Sequence, residues 1–130
     1  MAITINNTGK HLMLDALDTV LNTATLTIRS GAAPGAGNTA TGTVLATITT
    51  PADAMAAASS GTKQKLGTWE DASADATGNA GHFRIVAGST VIEGTCGGPG
   101  SGADMEISNV ALQSGNPFTI LTFTLSMAAN

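Results

Sequence analysis

The sequence predicts a mainly β fold, a β-sandwich of about seven short strands with one N-terminal helix, in a single domain over residues 1–130. Three observations lead to this prediction. Several short segments alternate apolar and polar residues with the period of a strand, long turn-rich segments separate them, and one segment near the start has helical periodicity. Jelly-roll connections between the strands are one arrangement that this pattern allows.

The helix is predicted over residues 8–22. Its apolar residues recur at helical spacing and are expected to pack on the sheet as one face: Leu12, Ala16, Leu17, Val20 and Leu21. Asn7 or Thr8 can cap the first turn, and Asn22 marks the predicted end.

Strands are predicted from about residue 24 to residue 127. The first is indicated by Ala24, Leu26 and Ile28, which alternate with polar residues. Thr43–Thr50 repeats the pattern, and Pro51 ends it because proline cannot donate a hydrogen bond to a ladder.

A hairpin and a terminal strand follow further along the chain. His82–Ala87 and Thr90–Thr95 flank the dipeptide Gly88-Ser89, which is typical of a type I′ or II′ turn. The last strand has the strongest alternation and is expected to bury four large residues: Leu121, Phe123, Leu125 and Met127.

The remaining elements are less regular. Ala52–Ser60 has helical propensity and predicts a short helix. A polar strand is expected over Lys63–Trp69. In Met105–Leu112 the apolar phase slips, which indicates a β-bulge at Ser108 or Asn109. Loops are predicted over three turn-rich segments, of which the third is expected to be flexible: Gly31–Gly42, Glu70–Gly81 and Cys96–Ala103.

Charged residues make up only 11% of the chain, against about 25% in an average soluble domain. Either Ser and Thr hydroxyls keep this surface hydrated or neighbouring subunits cover much of it, and we favour the second. A homo-oligomer, most simply a cyclic dimer or trimer, is therefore expected. The net charge is −4 and the basic residues are scattered, so no nucleic-acid partner is expected.

Cys96 is the only cysteine, so one chain can form neither a disulfide nor a cysteine-based zinc site. The first residues lack the basic and apolar regions of an export signal, and no apolar run approaches about 18 residues. We therefore expect a protein made in the host cytoplasm, with no membrane partner.

Motifs of catalysis and of nucleotide binding are absent from the sequence. Ser101 lies among glycines, but in the wrong frame for a G-x-S-x-G elbow, and no lysine follows the glycine frame of a P-loop. His11 and His82 cannot complete a zinc tetrahedron without a cysteine pair. His82 is interpreted as an exposed strand residue beside Arg84.

Glu70, Asp71 and Asp75 suggest either a calcium site or a solvated acidic loop, and the spacing, unlike that of an EF-hand, favours the loop. Trp69 is the one aromatic residue that could stack on a sugar, and it is interpreted instead as a core or interface anchor. We predict no catalytic residue, no cofactor, no metal ligand and no enzymatic activity.

Three segments carry a resemblance to a known family: TLTIRSGAAPG at Thr25–Gly35, GTVLATITT at Gly42–Thr50, and WEDASADATGNAGHFRIVAGSTVIEGT at Trp69–Thr95. They resemble small virion structural proteins of tailed bacteriophages. The resemblance spans most of the chain, although residues 96–103 lie outside it. It rests on residues that map onto strands and turns: Ile28, Gly31, Pro34, Leu45, Ala46, Gly78, Gly81, Phe83 and Arg84.

The resemblance implies a β-sandwich protein of the phage particle, a capsid decoration or cement protein that resides in the virion and binds the major capsid protein. It transfers no catalytic residue. A neck, tail or fibre-base protein is the first alternative, and a carbohydrate-binding module using Trp69 is the second.

Overall fold

The protein is described from a computed structural model, which covers residues 3–126. It is mainly β, as predicted, with a short helical segment at the start of the chain. The elements, in chain order, are α1 (Asn7–Asp15), α2 (Asp18–Leu21), β1 (Thr25–Ser30), β2 (Val44–Thr49), β3 (Thr62–Gln64), β4 (Trp69–Asp71), β5 (Gly78–Ala87), β6 (Thr90–Gly97), β7 (Met105–Ile107), β8 (Ala111–Leu112) and β9 (Phe118–Ser126).

The strands form one curled sheet in the order β2-β1-β5-β6-β7-β9-β3, with β4 also paired to β9 and β8 paired to β5. The curling brings two halves of the sheet face to face around the apolar residues, which is consistent with the predicted β-sandwich. The β6–β7 pair is parallel. This pair distinguishes the topology from the antiparallel strands of a jelly roll.

The predicted helix is present as two pieces. Its cap is Asn6, one residue before the predicted caps, because the Asn6 side chain accepts a hydrogen bond from the Gly9 backbone at 3.0 Å. The predicted apolar face is wrong in part: Leu12 is 71% exposed, whereas Leu14 is the buried apolar residue of α1. Nine residues, or about two and a half helical turns, separate Leu12 from Leu21, so the two lie on opposite faces, whereas Leu14 lies on the Leu21 side.

The predicted hairpin is confirmed. β5 and β6 pair antiparallel with Ala87 opposite Thr90, so Gly88 and Ser89 form the two-residue turn. Gly88 has φ of +59°, and Ser89 does not have a positive φ, as a type II′ turn requires. β5 begins at Gly78 and β4 includes Asp71, so the loop predicted over residues 70–81 is shorter than expected.

The structure has a β-bulge in the terminal strand β9, whereas the sequence indicated one at Ser108 or Asn109. Glu106 lies opposite Thr122 and Ile107 opposite Ile120, which leaves Leu121 as the extra residue of β9. Leu121 is consequently 42% exposed, contrary to its predicted burial, while Phe123 is 2% exposed. The predicted bulge at Ser108 or Asn109 is instead the break between β7 and β8. Met127 lies outside the described residues.

Two other predictions are wrong. Residues 52–60 form no helix, because Met55 pairs with Lys65 and Ser59 pairs with Thr62 of β3 in isolated bridges. The segment 96–103 is not a loose connection: Cys96 and Gly97 belong to β6, and the Glu106 carboxylate accepts hydrogen bonds from the backbone of Gly100 and Gly102. The expected polar strand over residues 63–69 is divided into β3 and β4.

An aromatic group occupies the centre of the core. Phe123 lies 5.6 Å from Trp69 and 5.4 Å from Phe83, measured between ring centroids, and the contact with Phe83 is edge-on. Aliphatic residues from β1, β2, β5, β7 and β9 surround these rings. Since β4, β5 and β9 each supply one ring, the three aromatic residues hold the curled sheet together.

We expect Phe123→Ala to lower the free energy of unfolding by about 3–5 kcal/mol, because it removes the ring that contacts both Trp69 and Phe83. Leu121→Ala is the matched control in the same strand and should cost far less, because the bulge places Leu121 outside the core. Urea unfolding of both variants measures the difference. Equal losses would contradict the position of the bulge.

Candidate functional site

Residues 31–43, between β1 and β2, form an exposed segment without helix or strand, as predicted for Gly31–Gly42. We call residues 31–43 the strap, because side chains of the underlying sheet hold it against the outer face. Its sequence contains no charged residue and consists mostly of Gly, Ala and Thr. The strap is therefore a neutral surface whose conformation is set by the residues beneath it.

The main attachment of the strap is an ion pair between Arg84 and Glu93. The two residues lie opposite each other on β5 and β6, with Nη1 and Oε2 2.5 Å apart and the side chains 9% and 2% exposed. Arg84 Nη2 donates to the carbonyl of Asn38 at 2.8 Å, and Glu93 Oε1 accepts from the backbone N–H of Gly35 at 2.7 Å. Each member of the pair thus binds both its partner and the strap backbone.

The ends of the strap are fixed by further contacts. His82 Nδ1 lies 2.9 Å from the carbonyl oxygen of Gly31, and because a carbonyl only accepts, Nδ1 carries the proton. Arg29 Nη1 donates to the carbonyl of Thr41 at 3.4 Å. A Cβ at Gly81 would lie 2.1 Å from the Gly31 oxygen, so the strap approaches β5 too closely for any other residue there.

The interpretation of His82 as an exposed strand residue is wrong, because His82 is 0% exposed and Arg84 only 7%. Phe83 lies between these two residues and Ile85 follows Arg84, and both are buried on the opposite face of β5. β5 is therefore buried on both faces at its centre. A single strand's alternation cannot reveal this cover, since the strap is contributed by residues about fifty positions earlier in the chain.

A second charged cluster joins the N-terminal helices to the sheet. Lys63 in β3 is fully buried, and its Nζ lies 2.7 Å from Asp15 Oδ1 and 2.9 Å from Asp18 Oδ1. Asp15 also accepts from the backbone N–H of Ala58, and His11 Nε2 accepts from that of Gly61. α1 is thus attached mainly by polar contacts, which complement the burial of Leu14.

These contacts change the acidity of two groups. The hydrogen bond from Lys63 lowers the pKa of Asp15 below its ordinary value of 3.8. For Lys63, burial lowers the pKa, but the hydrogen bonds to Asp15 and Asp18 outweigh it and raise the pKa above 10.5. Both shifts favour the charged forms.

The acidic residues Asp71 and Asp75 close an edge of the sheet. Asp71 Oδ2 accepts from the backbone N–H of Thr47 at 3.1 Å, and Asp75 Oδ2 accepts from the Thr47 hydroxyl at 2.6 Å. The carbonyl of Leu45 accepts from the backbone of Asp75 at 2.8 Å. The outer edge of β2 is thereby occupied, and these carboxylates serve the fold. Within residues 3–126, no three potential ligands cluster as a metal site requires.

Cys96 has the character of a structural thiol. Burial, with the Asp104 carboxylate nearby, raises its pKa to about 12. The thiol is therefore protonated at neutral pH and is a poor nucleophile.

A cleft of about 360 Å³ lies between Ala74 and the segments that flank β8. Amide, hydroxyl and apolar groups line it, and none of its lining residues is titratable. Asn109 Oδ1 and Ser108 Oγ accept hydrogen bonds from backbone N–H groups nearby. The cleft therefore has no acid–base residue among its lining residues that could activate the Ser108 hydroxyl.

Trp69 lies in the core with 0% exposure, as the core interpretation predicted. Its indole N–H donates to the carbonyl of Leu66 at 3.2 Å. A fully buried ring cannot stack on a sugar, so the carbohydrate-binding alternative loses the platform on which it depends.

Several large apolar side chains of the N-terminal region are exposed, beside polar residues such as Asn7 and Thr8. Ile3 is 89% exposed, Leu12 71% and Met13 40%. Lys10 nearby is buried, whereas Asp15 binds Lys63 with 44% of its side chain still exposed. Neither helix in the described part of the chain has the length and apolar character needed to cross a bilayer.

No family model, curated protein or solved structure matches the chain. The strap and the buried ionic groups that hold it are the most distinctive features of the described surface.

We expect Glu93→Gln to destabilise the protein by about 3–5 kcal/mol, because it leaves the Arg84 charge buried without its counter-charge. The double variant Arg84→Met/Glu93→Leu should recover much of this loss, because no charge then remains buried. Urea unfolding measures both effects. If the double variant were no more stable than Glu93→Gln, the buried charge would not be the cause.

The Lys63 cluster predicts a dependence of stability on pH. Because the pKa of Asp15 is lower in the folded protein, its contribution is present above pH 3.8 and is lost as the pH falls below that value. The Lys63 contribution is present below pH 10.5 and is lost as the pH rises above it. The variant Asp15→Asn should lose less stability than the wild type between pH 6 and pH 3, measured by urea unfolding. Parallel losses would show that Asp15 does not couple to folding.

Proposed function

We propose that this protein is a non-catalytic structural protein of a bacteriophage particle, a capsid decoration or cement protein that binds the major capsid protein. The observation that carries the proposal is the strap: a long, uncharged, exposed segment that is held in one conformation by buried side chains. Such a segment suits docking onto another protein surface and offers no chemistry of its own.

The fixed conformation of the strap favours binding. Ordering a flexible segment costs about 1–2 kcal/mol per residue in backbone entropy. Here Arg84, Glu93 and His82 already order the strap in the free protein. Contacts made by the strap therefore contribute to affinity with little further ordering, which is the advantage of a preorganised surface.

The residues that carry the phage resemblance support a shared scaffold. Ile28, Leu45, Ala46 and Phe83 are core residues, each at most 2% exposed. The others include residues that shape the strap: Gly31, Gly81 and Arg84. The resemblance therefore concerns the residues that build and hold the proposed docking surface. It is also the reason for proposing a phage particle as the structure to which this surface binds.

A cement protein acts by mass action. It binds the assembled shell and not the dissociated subunits, so each bound copy shifts the equilibrium toward the shell. Individual contacts need not be strong, because many copies bind one lattice at the same time. The surface required is rigid, neutral and repeated, and the strap of each copy supplies one such contact.

The proposal is tested by removing the protein from particles, adding it back, and recording the temperature at which DNA is released. Wild-type protein should raise this temperature. Ala36→Glu, which places a charge on an exposed strap position between the anchors, should lower the occupancy on capsids severalfold. Ser89→Glu at the hairpin turn is the matched control and should bind like the wild type.

Electron microscopy of the same particles separates the alternatives. A decoration protein is expected in many copies across the icosahedral lattice, whereas a neck, tail or fibre-base protein forms a ring at one position. Failure of the wild type to raise the release temperature would overturn the cement role. A ring at one vertex would replace it with the neck or tail role.

A further inference from the structure

The first part of β6 has a hydrogen-bonding edge that no other strand covers. β5 pairs with β6 from the hairpin turn onward, whereas β7 pairs only with the last two residues of β6. Along an antiparallel strand, the backbone groups of successive residues point alternately to one side and to the other. The N–H of Thr95 points away from β5, because it donates to Asp104 Oδ2 at 2.9 Å. The N–H and C=O of Val91 and Glu93 therefore point away from β5 as well.

These outward groups of Val91 and Glu93 have no partner within residues 3–126. The Glu93 side chain is only 2% exposed, although the residue as a whole is half-buried. The part of Glu93 that meets water is therefore its backbone. We call Val91–Glu93 the open edge, since its backbone donors and acceptors are both unpaired and accessible.

The chain protects the two outermost strands of its sheet but not the open edge. Asp71 and Asp75 occupy the outer edge of β2, and residues 55–59 pair alongside β3. Exposed edges are otherwise blocked by lysine, proline or a bulge. The segment 90–94, TVIEG, has no lysine or proline, pairs with β5 without a bulge, and directs its one charge to Arg84. The open edge is therefore suited to pairing with another strand.

A second copy of the open edge satisfies its backbone groups completely. With Val91 opposite Glu93 of the partner subunit in an antiparallel pair, the two residues exchange both of their hydrogen bonds. The neighbouring two-fold registers would need either Ser89, which lies in the turn, or Thr95, whose N–H Asp104 already binds. An unrelated strand would bring a further unpaired edge of its own, whereas two-fold pairing closes both open edges at once.

From these observations we infer that the open edge is a self-association surface, on which β6 pairs antiparallel with β6 of a second copy about a two-fold axis at Ile92. The sheet then continues from one copy into the other. Ile92 is partly buried against its own core and lies opposite its equivalent, so the pairing buries more of both side chains. The inference goes beyond the proposed function, because it concerns the contact between copies and not the contact with a capsid.

Sedimentation velocity on the purified protein tests the inference. At a few hundred micromolar the wild type should sediment as a monomer–dimer mixture, and Val91→Pro should sediment as a monomer. Proline lacks the N–H that the second copy needs, while the hydrogen bonds between β5 and β6 do not use that group. Val91→Thr is the matched control, because it keeps the N–H and the β-branched shape, and it should associate like the wild type. Circular dichroism checks that both variants fold. A monomeric wild type, or a Val91→Pro variant that still associates, would overturn the inference.

Disulfide trapping tests the register without relying on proline. In the inferred pair the two Ile92 Cα atoms are about 4.5 Å apart, within the range of about 4.4–6.8 Å that a disulfide spans. The two Val91 Cα atoms are diagonal neighbours at about 7–8 Å, which is too far. Ile92→Cys should therefore form a covalent dimer under mild oxidation at least tenfold faster than Val91→Cys.

Cys96 is a poor background reactant in this experiment, because its pKa is raised to about 12. Equal rates for the two variants, or a faster reaction of Val91→Cys, would reject the two-fold pairing at Ile92. Neither experiment contains a capsid, so its failure would leave the binding of the strap to particles as a separate result.

Discussion

The ion pair between Arg84 and Glu93 determines how the outer surface of this protein is built. The type II′ turn at Gly88-Ser89 sets the hairpin register, and that register places the two residues opposite each other. Their remaining hydrogen-bonding groups bind the strap backbone at Gly35 and Asn38. A buried pair is costly unless additional hydrogen bonds satisfy it, so strap and ion pair depend on each other.

Other charged groups are used in the same way. Lys63 joins the N-terminal helices to β3, Asp71 closes the edge of β2, and Glu106 holds the turn between β6 and β7. Many of the few charged residues in this chain therefore bind its own backbone or a buried partner. These charged residues act as internal attachments, while others such as Asp53 and Glu70 remain exposed.

The sequence was informative where structure is local. The hairpin at Gly88-Ser89 and the strand character of residues 24–29 follow from turn chemistry and alternation. Prediction failed where the exposure of a residue depends on a distant segment of the chain. His82 is buried by a strap from elsewhere in the chain, and Leu121 is exposed because β7 pairs on both sides of it without opposing it. The alternation of apolar and polar residues distinguishes the two faces of a strand, but it does not show which other segment covers each face.

The candidate surfaces were predictable to a similar extent. The composition of residues 31–43 indicates an exposed neutral loop, but its rigidity arises from Arg84 and Glu93, which alternation alone assigns to a solvent face. Leu12 was assigned to the core from its four-residue spacing to Ala16, but it lies about two and a half helical turns before Leu21 and therefore on the face opposite to that buried residue.

The strap and the outer side of α1 are two different kinds of exposed surface. The strap is backbone-rich and uncharged, and buried ionic groups hold it rigid. The outer side of α1 exposes Leu12 and Met13 on a helix that is attached by polar contacts. The two surfaces share no residues, and different buried groups hold each of them in place. Since separate clusters maintain the two surfaces, a change in one should leave the other intact.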